Sequence, residues 1–383
     1  MAKGSVYPSE RQCFQDPETG VTVHRLTGYL CHNNHLYFTH RPYYAGGRKM
    51  VFHSDRGNAR NLFGLNLDSG EIQQLTGFES GVAGVSPFHA CVNPVKAEAY
   101  FWVEKTLHAI DLGDLSEHRL WEYPEDVLCG MPNCTADGRF VCYYLCPDLS
   151  RELPVDIVHG HVRPEAYLAA HPRCQIARIP TSGGEPEVVW EEDNWLGHVN
   201  TSPVDPNLLT FCHEGPWPLV KQRIWGLNLK TEAAWKIRPE TEGVIIGHEY
   251  WFADGSRIGY HGRLAQTGPL WGHADPLGGD FEEHPMPRAS MHLHSLGREL
   301  LLSDGTAQDP YLRLWRWNGT GYEGRLLCSH RCSFHTQRLH VHPAMTPDGK
   351  GVIFTSDLNG YGNIYYLEFP EFNSLPSSEA ANR

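Results

Sequence analysis

An all-β chain folded as a seven-bladed β-propeller is what this sequence predicts, and three observations point there. Turn–strand–turn–strand units recur seven times, helical periodicity is nearly absent, and 38 Gly with 27 Pro cut the 383 residues into short pieces. The average spacing of the units approaches the roughly 40 to 50 residues of a four-stranded blade. Seven such blades account for nearly all of 1–383 as a single domain. The competing architecture is a pair of β-sandwich domains.

The clearest units are RPYYAGGRKMVFHSDRGNARNLFGLNLDSGEIQQLTG from Arg41 and PAMTPDGKGVIFTSDLNGYGNIYYLEF from Pro343. In each, a Gly-Gly or Asp-Gly pair supplies turn residues that tolerate positive φ, and alternating apolar residues follow at strand period. Weaker copies begin near Asn93, Asn133, Ser202, Trp251 and His294. A closed ring leaves no free sheet edge, so the early strand GVTVHRLTG from Gly20 is expected to complete the last blade. The segment from Ser150 to Arg173 is too long for a connection within a blade, and is expected to be an inserted lid or contact element whose loss leaves the fold intact. Within it, PEAYLAAH is expected to form a short helix with Pro164 in its first turn.

Composition narrows the function classes. With 40% hydrophobic and 20% charged residues the chain is globular, and a net charge of −13 argues against a nucleic-acid partner. No apolar run approaches the roughly 20 residues of a membrane span, and MAKGSVYPSERQ lacks the apolar centre of an export signal. A cytoplasmic protein with no membrane partner is therefore expected. None of the 11 cysteines forms a CxxC pair, so buried reduced thiols are expected rather than disulfides or a zinc knuckle. Oligomeric state is not legible at this level.

The run QRLHVHP, Gln337 to Pro343, carries the most chemical information. Read as a strand, it sends His340 and His342 to one face, about 6 to 7 Å apart, where they could grip one divalent ion with Gln337 adding an oxygen. In a chain of 23 His such an HxH pair also arises without any ligand role.

Four ordered motifs, together with the opening DPETGVTVHRLTG, resemble the oligogalacturonate lyases of pectin catabolism: FCHEGPWPLVKQRIW from Phe211, GHEYWFADGS from Gly247, MHLHSLGRELLLSDG from Met291, and QRLHVHP. The resemblance covers most of the chain and implies a seven-bladed propeller with a manganese-like divalent ion near the ring axis. It places the metal ligands on His292, Gln337, His340 and His342, with His294 a competitor for His292. It places the proton-abstracting base on His248 and the essential arginine on Arg223, and it sets His213 and Glu214 beside the pocket. Departures at Trp217 and at Lys221-Gln222 leave the choice of uronate open.

Such an enzyme removes the proton at C5 of a uronate and expels the oxygen at C4. A divalent ion on the carboxylate stabilises the developing charge, and a neutral ligand set keeps that site cationic in an acidic chain. An imidazole with a pKa near about 6.5 is a suitable base, and an arginine can clamp a carboxylate through two parallel hydrogen bonds. Arg41, Tyr43 and Trp217 are further candidates for contacts with the substrate, as are Tyr44 and Arg60. The expected activity is Mn²⁺-dependent β-elimination on short oligogalacturonides or related uronate oligosaccharides. The alternatives are a non-catalytic binding propeller, and a glycoside hydrolase using a carboxylate pair such as Glu214 and Glu249.

Overall fold

The computed structural model describes residues 2–157 and 162–379, which form a seven-bladed β-propeller of antiparallel sheets with four to six strands each. The second strand of each blade is the one that the repeat locates: Lys49–Ser54, Glu98–Val103, Phe140–Pro147, Leu208–His213, Ile258–Leu264, Leu300–Ser303 and Gly351–Ser356. These strands are apolar on both faces because each blade is sandwiched between two neighbours. Along Lys49–Ser54, Met50 and Phe52 pack with Ile353 and Ile364 of the last blade, while Val51 turns the other way to Val92 and Phe101 of the second. Each such side chain removed from water contributes about 1.5 to 3 kcal/mol.

Ring closure follows the expectation for Gly20 onward. Thr22–Arg25 pairs with Asn363–Glu368 of the last blade, and Gln12–Gln15 adds the outermost strand beyond it. Val6–Tyr7 pairs instead with Ile72–Gln74 at the rim of the first blade, so the N-terminal segment straddles the joint between first and last blades. Next to that joint the buried Thr27 hydroxyl donates to Asn363 Oδ1 at 3.1 Å and accepts from the Ile364 N–H at 3.0 Å.

In every blade the turn from second to third strand, and the crossing from one blade to the next, emerge on the same face of the ring. That face gathers residues 55–60, 214–223, 286–292 and 330–343. All 11 cysteines carry free thiols, most of them buried. No helix among the described residues is long and apolar enough to cross a membrane.

The inserted segment joins the second and third strands of the third blade, Phe140–Pro147 and Arg173–Pro180, on this same face. Its helix, Pro164–Ala169, has Pro164 at its first position, as the sequence implies. Residues 158–161 of the insertion lie outside the described residues. The remainder differs from a dispensable surface element. Tyr167 is fully buried with its ring 5.1 Å from that of Trp195, its hydroxyl donates to the Pro147 carbonyl at 2.7 Å, and Val155 is buried beside it. Tyr167→Ala should therefore cost about 3 to 5 kcal/mol in chemical denaturation, whereas Tyr167→Phe, losing one hydrogen bond, should cost about 1 kcal/mol.

Candidate active site

The QRLHVHP run reaches the axis by a route other than a strand. Gln337–Leu339 makes one 3₁₀ turn, His340 is extended at φ −78° and ψ 150°, and His342 sits in the left-handed region at φ 45°. The strand begins only at Ala344, after Pro343. The chain must double back from the outer edge of the sixth blade to the inner edge of the seventh, and a turn does this where a strand cannot. Side-chain alternation still survives locally: Val341 is fully buried in the core between those blades, while the flanking imidazoles share the opposite side. A left-handed non-glycine residue costs roughly 1 to 2 kcal/mol, a strain characteristic of functional sites.

His292, just before the innermost strand Leu293–Ser295 of the sixth blade, completes the cluster. One nitrogen from each of His292, His340 and His342 lies within 4.8 Å of the others. The His292 ring centroid is 4.3 Å from that of His342 and 5.6 Å from that of His340. Asp304, from the SDG turn, accepts from His292 Nδ1 at 2.6 Å and from the His292 backbone N–H at 2.8 Å. The Ser290 hydroxyl, at 2.8 Å, braces the same carboxylate. Burial alone would raise the pKa of Asp304, but its bonds to His292 outweigh burial and hold it below the usual carboxylate range. This arrangement ties up Nδ1 and leaves Nε2 as the His292 nitrogen that can face the cluster. His294 turns away, its Nδ1 accepting the Met345 N–H at 3.2 Å. Burial, then the neighbouring imidazoles, hold His342 neutral, and its Nε2 is buried with no hydrogen-bond partner among the described residues. The Gln337 side chain is exposed at the head of the turn, while its carbonyl accepts the His340 N–H at 3.1 Å.

His248 lies on the innermost strand of the fifth blade, Val244–Trp251, with its ring stacked 5.0 Å from that of His292. Burial, then the electrostatic influence of the neighbouring imidazoles, holds it well below the ordinary imidazole pKa. Its Nδ1 lies 3.2 Å from His261 Nε2 on the adjoining strand. Trp217, in the turn between the second and third strands of the fourth blade, sets its ring edge-on 5.5 Å from His248. Gly247 makes room for that indole, since a Cβ there would come within 2.6 Å of it. Beneath the cluster, Tyr37 and Phe38 pack against both His248 and His342 and floor the axis.

Arg223 is only 2% exposed and is held between two carboxylates, with Nε at 3.2 Å from Glu249 and Nη1 at 3.3 Å from Glu214. Its Nη2 is buried without a hydrogen-bond partner among the described residues. The two acids separate. Burial raises the pKa of Glu249, whereas Glu214, despite its own burial, is pulled far down by Arg223 and by His198 at 3.3 Å. Both carboxylates are thus committed to Arg223 and do not stand free as the acid and base of a hydrolase.

The geometry therefore brings together His292, His340, His342, His248 and Trp217, with Arg223 and Glu214 beside them. Among the other expected residues, His213, Arg41 and Tyr43 are not brought in, and the Gln337 side chain stays exposed. His213 spends both ring nitrogens, on Asn194 and Glu192, each at 3.0 Å. Arg41 and Tyr43 follow the innermost strand of the first blade and belong to the connection on the opposite face. There the Arg41 guanidinium meets the Ala253 carbonyl and Tyr43 packs into the joint between the first and last blades. Asp304, His261, His198 and the aromatic floor escape a reading by motif. Only the SDG turn marked Asp304 as unusual, and nothing in the spacing links the others to the cluster. Asp304→Asn should weaken Mn²⁺ uptake about 10- to 100-fold by titration calorimetry, because the amide loses the charge that orients His292.

A family model described as oligogalacturonate lyase matches residues 1–373. An oligogalacturonide lyase of Pectobacterium atrosepticum is 29% identical over 97% of this chain and 99% of its own. Among solved structures, an oligogalacturonate lyase from Vibrio parahaemolyticus superposes with a TM-score of 0.86 at 29% identity, covering 97% of this chain and 99% of its own. An oligogalacturonate lyase in complex with manganese superposes with a TM-score of 0.87 at 27% identity over the same shares.

Proposed function

The chain belongs to the oligogalacturonate lyase family and is a carbon–oxygen lyase of oligogalacturonides, and we propose that His292, His340 and His342, with Gln337, hold its divalent ion while His248 is its base. The observation that carries this reading is the convergence of three imidazole nitrogens within 4.8 Å, next to a fourth imidazole that stays outside the set. The residues suit a manganese-class ion: three imidazoles, one with a buried nitrogen lacking a hydrogen-bond partner among the described residues, and one pre-oriented by a carboxylate. When bound, the ion would supply Lewis-acid stabilisation of the charge that develops on the substrate carboxylate.

The protein residues do the rest. With the proton of the His248–His261 pair on His248 Nδ1, His248 Nε2 presents a lone pair to the C5 proton. Its low pKa keeps that lone pair available at neutral pH. Arg223, fixed by its two carboxylates, offers Nη2 as a rigid donor toward negative charge on the substrate. Trp217 and the Tyr37–Phe38 floor restrict water around the base, which strengthens each of these interactions. Loss of the C5 proton and of the C4 oxygen leaves a C4–C5 double bond conjugated with the carboxylate. Short acidic oligomers as substrate and 11 reduced thiols suit a cytoplasmic setting.

Digalacturonate with Mn²⁺ should give the ultraviolet absorbance of that conjugated product, and a gain of reducing ends without it would contradict elimination. His248→Ala should lower kcat by about 10² to 10⁴ while the protein still takes up manganese. Retention of turnover would place the base elsewhere. The double variant His340→Ala, His342→Ala should bind no manganese yet keep the circular-dichroism spectrum of the propeller. Metal retained in that variant would refute the ligand set.

A further inference from the structure

Two thiols meet at the neck of the inserted segment, and no part of the reaction described above uses them. Cys146 is the last residue but one of the strand that enters the insertion, Phe140–Pro147, and Cys174 is the second residue of the strand that leaves it, Arg173–Pro180. They are 28 residues apart in the chain. We propose that this pair is an oxidation site, where a hydroperoxide joins the two sulfurs as a disulfide that staples the insertion to its blade.

Three features carry it. The first is geometry. The register that pairs Leu145 with Gln175 sets Cys146 opposite Cys174 across two antiparallel strands. Directly opposed residues in such a pair have Cα atoms about 4.5 or 5.5 Å apart, inside the span of about 4.4 to 6.8 Å that a disulfide bridges. The side chains already face each other, with Cys174 Sγ 2.7 Å from Cys146 Sγ and the Cys146 thiol directed at the Leu196 carbonyl, 3.7 Å away. Joining the sulfurs therefore needs no rearrangement of the backbone.

The second is what the pair supports. Val155 and Tyr167 of the insertion pack in one core with Cys146 and Cys174. Leu168, the next residue of the helix Pro164–Ala169, packs against Gly215, where a Cβ would come within 3.1 Å of its Cδ2. Gly215 lies between Glu214, which holds Arg223, and Trp217, which stands against His248. A staple at the neck thus restrains a segment that braces this turn. It also removes freedom from the unfolded chain by closing a loop.

The third is chemistry. With hydrogen peroxide, one thiolate attacks the O–O bond, taking one oxygen as a sulfenic acid while the other leaves as water. The second thiol then attacks that sulfur, the S–S bond forms, and the sulfenic oxygen leaves as a second water. Two electrons pass from the sulfurs to the peroxide, and both thiol protons end in water. A partner thiol already in contact captures the sulfenic acid before it is oxidised further. Burial holds the Cys146 thiol well above its ordinary range, so thiolate is scarce and the pair stays reduced until oxidant is sustained.

The test exposes the purified full-length protein to hydrogen peroxide, caps the remaining thiols with N-ethylmaleimide in denaturant, and maps tryptic peptides without reductant. The peptides Phe140–Arg151 and Cys174–Arg178 should appear joined, two hydrogens lighter than their sum, with one cap on Cys142. The melting temperature should rise by roughly 2 to 6 °C and fall back after dithiothreitol. Cys174→Ser should give no joined species, and its melting temperature should be the same with and without peroxide. Separately capped peptides from wild type, or Cys146 recovered as a sulfinic acid, overturn the proposal. So does a disulfide that leaves the melting temperature of wild type unchanged. Wild type alone decides, so a Cys174→Ser chain that fails to fold does not rescue the proposal.

Discussion

Closure of the ring is the constraint on which the rest of the structure depends. No blade buries its own faces; Met50 and Val51, adjacent in sequence, belong to cores on opposite sides of one sheet. Every blade therefore needs both neighbours, and the last finds its outer strands only in the N-terminal segment. His292 and His342 come from the sixth and seventh blades, His248 from the fifth and Tyr37 from the first. A ring opened at the Thr22–Arg25 joint would spread these groups apart. The cluster is thus a consequence of closure as much as of any motif.

Burial sets the chemistry at the axis. Imidazoles crowded into a water-poor centre resist protonation, as His248 and His342 do. The cationic role passes instead to Arg223, whose charge burial cannot remove and which two carboxylates compensate. Asp304 performs a parallel service for His292 by fixing which nitrogen faces the cluster.

Much of this was legible in the chain, for identifiable reasons. Turn chemistry and period-2 patterning are local properties, so the seven second strands and the closing strand emerge from sequence. The motif resemblance placed His292, His340, His342, His248 and Arg223, all of which the fold gathers at one end of the axis. Arg41 and Tyr43, named for their residue types alone, lie on the connection at the opposite face, because residue type says nothing about which end of a strand a loop occupies. His213 was misread for a related reason: its neighbour Glu214 turns toward Arg223, while the His213 ring reaches the outer strand of the previous blade.

By itself, then, the sequence determined the repeat, the fold class and the family resemblance, since each depends on short-range pattern or on residue type. Only the tertiary structure decided that QRLHVHP is a turn with a left-handed His342, that His292 rather than His294 joins it, and that Tyr167 anchors the insertion. The pairing of Asp304 with His292 and of His261 with His248 belongs to the same class. Each joins residues from separate strands or turns whose meeting is set by the packing of sheets around a closed ring, and no local pattern encodes that distance.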